Sequence, residues 1–156
     1  MKELIEEALK QVEPKLEERE RLLKLKDRIL NEINNLGIKN IEPKVVGSIA
    51  KGTFLEGTDI DIFLLFQKGT NLKKEGLNLA RKILPNGKEL YAQHPYLRGE
   101  IEGVGIDLVP CFAIDNSTES ISAVDRTPFH TDWVISNISG LENEVRLTKQ
   151  FLRAIG

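Results

Sequence analysis

The run Val45-Val46-Gly47-Ser48 is followed, ten residues later, by Asp59-Ile60-Asp61-Ile62-Phe63-Leu64-Leu65-Phe66, so two short β-rich segments flank a glycine break. Alternate residues of a strand project to the same side. Asp59 and Asp61 therefore share one face, and Ile60, Ile62 and Leu64 share the other. Two carboxylates this close repel each other unless a cation neutralises them, and their oxygens suit Mg²⁺. Gly47 lets backbone approach a phosphate, where free N–H groups and the Ser48 hydroxyl can bind its oxygens, and Ile49 to Thr53 reads as a helix start.

A later run, Val104-Gly105-Ile106-Asp107-Leu108-Val109-Pro110, carries one acid among apolar residues. A buried carboxylate without a partner is expensive, so Asp107 calls for a metal, a partner or an exposed strand end. Set beside Asp59 and Asp61 it would complete a cluster able to hold two Mg²⁺ ions about 3.5–4 Å apart, as nucleotidyl and phosphoryl transfer require.

Around these strands the chain alternates helix and strand signals. Residues 1–36 read as helix, with Leu22, Leu25, Ile29, Ile33 and Leu36 at spacings of three and four. Pro14 suits the first turn of a second helix and Gly37 a stop. The eight basic and eight acidic residues between 2 and 28 read as a salt-bridged solvent face. Strands are expected at Lys44–Val46, Ile60–Phe66, Glu89–Gln93, Tyr96–Ile101 and Val104–Val109, with Glu102-Gly103 as a hairpin turn. Helices are expected at Leu72–Leu84 and Leu141–Ala154, with 114–140 turn-rich. This is a mixed α/β chain.

With 156 residues, 22 Lys and Arg, 24 Asp and Glu and a formal net charge of −2, the composition is that of a globular protein with no general basic surface. A compact chain of this size would expose about 7,900 Å². Cys111 stands alone, which excludes an internal disulfide and a cysteine-rich zinc site and fits a reducing compartment. The longest apolar run, Ile62–Phe66, is far short of the roughly 20 residues of a membrane helix. The acidic N-terminus does not resemble a signal peptide, so a cytoplasmic location and no membrane partner are expected. Cys111 reads as a small buried hydrophobe, Trp133 as a packing aromatic, and His94, before Pro95, as a structural histidine.

Gly-Ser, an apolar-flanked Asp-x-Asp and a third strand-borne acid together resemble the DNA polymerase beta-like nucleotidyltransferase superfamily. More closely, Val46–Phe66, His94-Pro95-Tyr96, Asp107-Leu108-Val109-Pro110-Cys111, Ser122–His130 and Glu142–Leu147 resemble the archaeal, class I CCA-adding enzymes over almost the whole chain. The resemblance implies an α+β palm-type nucleotidyltransferase fold: a small mixed sheet carrying the carboxylates, with helices packed against it. It implies addition of C, C and A to the tRNA 3′ end from CTP and ATP. Asp59, Asp61 and Asp107 would be the catalytic residues and would bind two Mg²⁺ ions. Gly47, Ser48, Lys51, His130, Lys149 and Arg126 would be on the nucleotide. The first acid is Glu in some family members and Asp here, which keeps the charge on a shorter arm.

Family members continue beyond this length, so residues 1–140 are expected to be the catalytic domain, with N-terminal helices over 1–36. Residues 141–156 are expected to be the first helix of a truncated following domain. Tight tRNA binding would then need the C-terminal domains, and a homodimer is possible. Two other readings remain: a minimal nucleotidyltransferase acting on a protein or small molecule with a partner chain, and a nucleotide-binding module without turnover. The intact acids argue against the second and the Ser122–His130 run against the first.

Overall fold

The computed structural model describes residues 2–156. Two helices open the chain, α1 (Lys2–Val12) and α2 (Leu16–Asn35). Pro14 is buried in the link between them and not in the first turn of α2, whose ladder starts from the Lys15 carbonyl. Gly37, with φ of +62°, follows the end of α2 as expected. Strand β1 (Ile41–Val45) leads into the single turn α3 (Gly47–Ala50), and β2 (Ile60–Phe66) follows. A π-helical turn, Leu72–Gly76, runs into α4 (Leu77–Ile83). Next come β3 (Lys88–Tyr91), β4 (Pro95–Ile101), β5 (Val104–Phe112), α5 (Ala123–Asn137) and α6 (Glu142–Ile155).

The five strands form one mixed sheet in the order β1-β2-β5-β4-β3. Only β2 and β5 run parallel, joined through α4 and the β3–β4 hairpin. Glu102 and Gly103 both have positive φ, a type I′ turn whose twist matches the flanking β4 and β5. β5 runs past Pro110 to Phe112, further than the sequence pattern suggests. β4 pairs β5 only as far as Leu108. The Phe112 N–H points away from β2 to Asp125, and alternation sends the Pro110 nitrogen to that same unpaired side.

One face of the sheet, with Ile60, Ile62, Leu64, Ile106 and Leu108 fully buried, packs against Leu22, Leu25, Ile29 and Ile33 of α2 and Leu77 and Ala80 of α4. Each of the buried Leu and Ile side chains contributes about 1.5–3 kcal/mol. The opposite face holds a smaller cluster of Val46, Phe63 and Cys111 under Val124 of α5. Asp61 precedes Phe63 on that second face.

The turn-rich expectation for 114–140 is corrected by α5. Ser122 caps its start: the Ser122 hydroxyl accepts from the Asp125 N–H, and the Asp125 carboxylate accepts from the Ser122 N–H. Pro128 inside the helix disguises it in the sequence. The chain exposes 9613 Å², about a fifth more than a compact chain of its mass. α1 and α6 pack on each other and leave Leu4, Phe151, Leu152 and Ile155 exposed.

Candidate active site

In the parallel ladder Asp61 is directly paired with Asp107. The antiparallel ladders continue the row: Asp107 pairs with Arg98 on β4, and Arg98 with Lys88 on β3. Residues paired in register project to the same side, so two acids and then two cations cross the sheet in one line. Asp59, just before β2, joins the acids through Arg98: the guanidinium donates to Asp107 Oδ2 at 3.2 Å and to Asp59 Oδ2.

Two glycines make room for the carboxylates. A Cβ on Gly47 would overlap Asp61 Oδ2, and one on Gly105 would overlap Asp59 Oδ1. Gly47 also has φ of +68°, which disfavours any side chain. The backbone is locked here by the Val46 N–H, which donates to the Asp61 carbonyl at 3.0 Å.

The electrostatics are those of an under-neutralised cluster. Burial, then Asp107 and Asp59, push the Asp61 carboxyl up to about 6. Burial and Asp59 also raise Asp107, against the pull of Arg98. Asp107 Oδ1 is buried without a hydrogen-bond partner. Hard oxygen donors, an orphaned carboxylate oxygen and unrelieved repulsion fit a divalent cation such as Mg²⁺. Among the described residues, however, no three acidic, His or Cys side chains converge closely enough to hold an ion as they stand. Asp59 is engaged with Arg98.

On the Ser48 side a cavity of about 280 Å³ is lined by Gly47, Ser48, Lys51, Thr53, Val134, Ile138, Val145 and Lys149. Ser48 Oγ lies 2.9 Å from Thr58 Oγ1, which orients the hydroxyl. Lys149 Nζ donates to the Thr53 carbonyl at 2.9 Å and to Thr53 Oγ1 at 3.1 Å. Burial, then the nearby positive charges of Lys51, Arg153 and Arg146, lower its pKa. Lys149 is carried there by Arg146, a buried side chain of α6 that donates to the carbonyls of Phe54 and Gly52 and to Asn143 Oδ1. A second cavity, about 570 Å³, opens on the other side of Asp59, between Arg21 of α2, Lys88 and Arg98.

The structure thus gathers Gly47, Ser48, Lys51 and Lys149 around one cavity next to the three acids. His130 is exposed one turn before Val134 of the cavity wall, and Arg126 is exposed further up α5; neither lines the cavity. Thr53, Thr58, Arg98 and Gly105 have no distinctive motif; counting back from the Glu102-Gly103 turn is the one signal that could have set Arg98 opposite Asp107. Outside the site, His94 Nε2 lies 3.0 Å from Ser122 Oγ and 3.3 Å from Asp125 Oδ1. Asp125 is wholly buried, so this cluster pins α5 to the sheet, the structural part expected for His94. Cys111 is buried as expected, and burial pushes its thiol up to about 12. Trp133, expected to pack, is 64% exposed because α5 turns that side to solvent.

Residues 26–130, from the middle of α2 to His130, match the family described as "Nucleotidyltransferase domain". The chain belongs to that family. The chain is 43% identical to the CCA-adding enzyme of Pyrococcus furiosus, over 99% of this chain and 36% of that protein. A CCA-adding enzyme sequence from Thermoplasma acidophilum is 41% identical, over 97% of this chain and 71% of that sequence. The chain spans about a third of the length of the Pyrococcus relative. Among solved structures, the Cid1 poly(U) polymerase superposes with a TM-score of 0.73 at 15% identity, over 97% of this chain and 47% of that one. The GLD-2/RNP-8 complex gives 0.69 at 20% identity, over 98% and 60%. These two share the α+β fold. Among the described residues no helix is long and apolar enough to cross a membrane.

Proposed function

We propose that this chain is the catalytic domain of a tRNA nucleotidyltransferase that adds C, C and A to the tRNA 3′ end from CTP and ATP. The observation that carries the reading is the in-register pairing of Asp61 with Asp107 beside the Gly47-Ser48 turn, in a chain about 40% identical to CCA-adding enzymes. The reaction joins the terminal hydroxyl oxygen of the RNA to the α-phosphorus of the nucleotide. The bond from that phosphorus to the bridging oxygen of pyrophosphate breaks, and the hydroxyl proton is lost.

Asp59, Asp61 and Asp107 would hold two Mg²⁺ ions, whose charge favours the ionised hydroxyl and offsets the leaving pyrophosphate. The Ser48 hydroxyl, Lys51 and Lys149 take the triphosphate, with Val134, Ile138 and Val145 excluding water beside it. His130 and Arg126 belong to the rim of that cavity at most. Asp107 serves chiefly the attacking hydroxyl, whose approach is from the larger cavity, where Arg21 and Lys88 face the RNA phosphates.

Residues 1–140 form the catalytic unit in this reading, and 141–156 begin a following domain. Base choice and a firm hold on the tRNA belong to further domains, since this chain has no net positive charge. The cytoplasm is its compartment. The test is incorporation of labelled CTP and ATP into tRNA lacking its terminus, with and without Mg²⁺, by this chain and by a longer form carrying further domains. Metal-dependent C, C, A addition by the longer form supports the reading. Ordered addition and tight tRNA binding by the 156 residues alone would remove the need for further domains. Transfer to protein or small molecules but never to tRNA would replace it with a minimal nucleotidyltransferase.

A further inference from the structure

We propose that Arg98 is the resident counter-cation of the carboxylate cluster, and that divalent cations bind by displacing it, so that this side chain sets the metal affinity of the site. The inference rests on the metal-binding reading of Asp59, Asp61 and Asp107.

Arg98 reaches the cluster because β4 pairs it with Asp107, one strand removed from Asp61. Its two terminal nitrogens engage Asp107 Oδ2 and Asp59 Oδ2, the oxygens a cation would need. A guanidinium and a divalent ion compete for these oxygens, and as like charges they repel at that range. Three carboxylates with one guanidinium carry a net charge of −2, low enough for the fold to tolerate without metal. Once cations arrive the balance turns positive and Arg98 has no electrostatic reason to stay. It also has somewhere to go: its side chain is 45% exposed and borders the 570 Å³ cavity.

The failure of three acids to converge follows from the same contact. Asp59 is held toward Arg98, while Asp107 Oδ1 points into a buried space with no partner. Arg98 thereby protects the cluster from its own repulsion and raises the threshold for metal entry.

The experiment is calorimetric titration of Mn²⁺ into wild type, Arg98→Gln, Arg98→Lys and Asp107→Asn without nucleotide, with thermal melts in chelator and in Mn²⁺. Arg98→Gln is expected to bind Mn²⁺ about tenfold tighter, because a nearby positive charge and a competitor for two oxygens are both removed. Arg98→Lys, which keeps the charge but loses the two-pronged contact, should fall between. In chelator Arg98→Gln should melt lower than wild type, and Mn²⁺ should raise its midpoint more. Equal or weaker Mn²⁺ binding by Arg98→Gln, with wild type binding normally, overturns the inference and leaves the metal site standing. No Mn²⁺ binding by wild type or Arg98→Gln, or undiminished binding by Asp107→Asn, overturns the metal site itself and this inference with it. If Arg98→Gln does not fold, the Mn²⁺ affinity of Arg98→Lys decides.

Discussion

Asp61 and Asp107 are paired in register across the parallel β2–β5 ladder, although 46 residues separate them in the chain. Neighbouring paired residues on one sheet face cannot avoid each other, and partial burial weakens the screening by water. The repulsion is therefore a property of the backbone register, and in the proposed reading a divalent cation would relieve it.

Asp61→Asn should abolish divalent-dependent transfer, by at least about a thousandfold, or roughly 4 kcal/mol of transition-state stabilisation. The fold should be unchanged, because the amide removes a charge that the native state holds at a cost. Labelled nucleotide incorporation alongside a circular dichroism spectrum checks both, and near-normal transfer would remove Asp61 from the metal site.

Without metal, stability should depend on pH through the same carboxyl. Its folded pKa, pushed up to about 6 from an ordinary 3.8, means the folded chain holds the proton more tightly than the unfolded one. The resulting stability is fully present below pH 3.8 and is lost as pH rises through about 6, by roughly 1–3 kcal/mol after allowing for partial exposure. Urea unfolding in chelator at several pH values, with Asp61→Asn as reference, isolates this group. A difference between the two proteins that does not change over pH 4–7 would contradict it.

Asp107→Asn should separate the two halves of the site. Nucleotide binding, centred on Ser48 and Lys149, should survive within about threefold, or roughly 0.7 kcal/mol, while transfer fails. Fluorescent nucleotide titration beside single-turnover assays measures the split, and equal loss of both would argue against assigning Asp107 to the attacking hydroxyl.

Gly105→Ala should act as a remote lesion in Asp59. The new methyl meets Asp59 Oδ1, and the half-exposed acid can swing away, so stability should fall by only about 1 kcal/mol. Mn²⁺ affinity should fall several-fold. Unchanged affinity would mean that Asp59 is not a metal ligand.

Arg146→Ala should destabilise the fold by about 2–4 kcal/mol, since it leaves the Gly52 and Phe54 carbonyls without their charged donor. Because α6 carries Lys149, nucleotide affinity should fall as well. Lys149→Met should weaken nucleotide binding with little loss of stability. The pair, measured by melting and by nucleotide titration, distinguishes a residue that holds the helix from one that holds the ligand.

Much of this site is legible in the amino-acid sequence. Period-two alternation puts Asp59 and Asp61 on one side of a strand, and the Glu102-Gly103 hairpin follows from local turn chemistry, because both depend on residues close in the chain. The helix α5 is hidden there, since Pro128 and the Asp, Thr and Ser residues around it read as turn. Its capping box and the burial of Asp125 under His94 and Phe112 outweigh those local preferences. The range of β5 beyond Pro110 likewise depends on where β4 stops.

The alternation and spacing of the acids, the glycine before Ser48, the class of the fold and the absence of a general basic surface all follow from the order of residues, because each is a local or compositional property. Which residues meet across strands does not. Arg98 stands opposite Asp107 because a hairpin turn sets the β4 register, and Asp61 stands beside Asp107 because a crossover through α4 and that hairpin returns the chain parallel to β2. Lys149 reaches Thr53 only because Arg146 docks α6 on the loop after α3. Arg98 and Asp107 are only nine residues apart across that hairpin, but the other contacts are set by closure of the chain over 46 to 96 residues, where a single sequence carries no period to read.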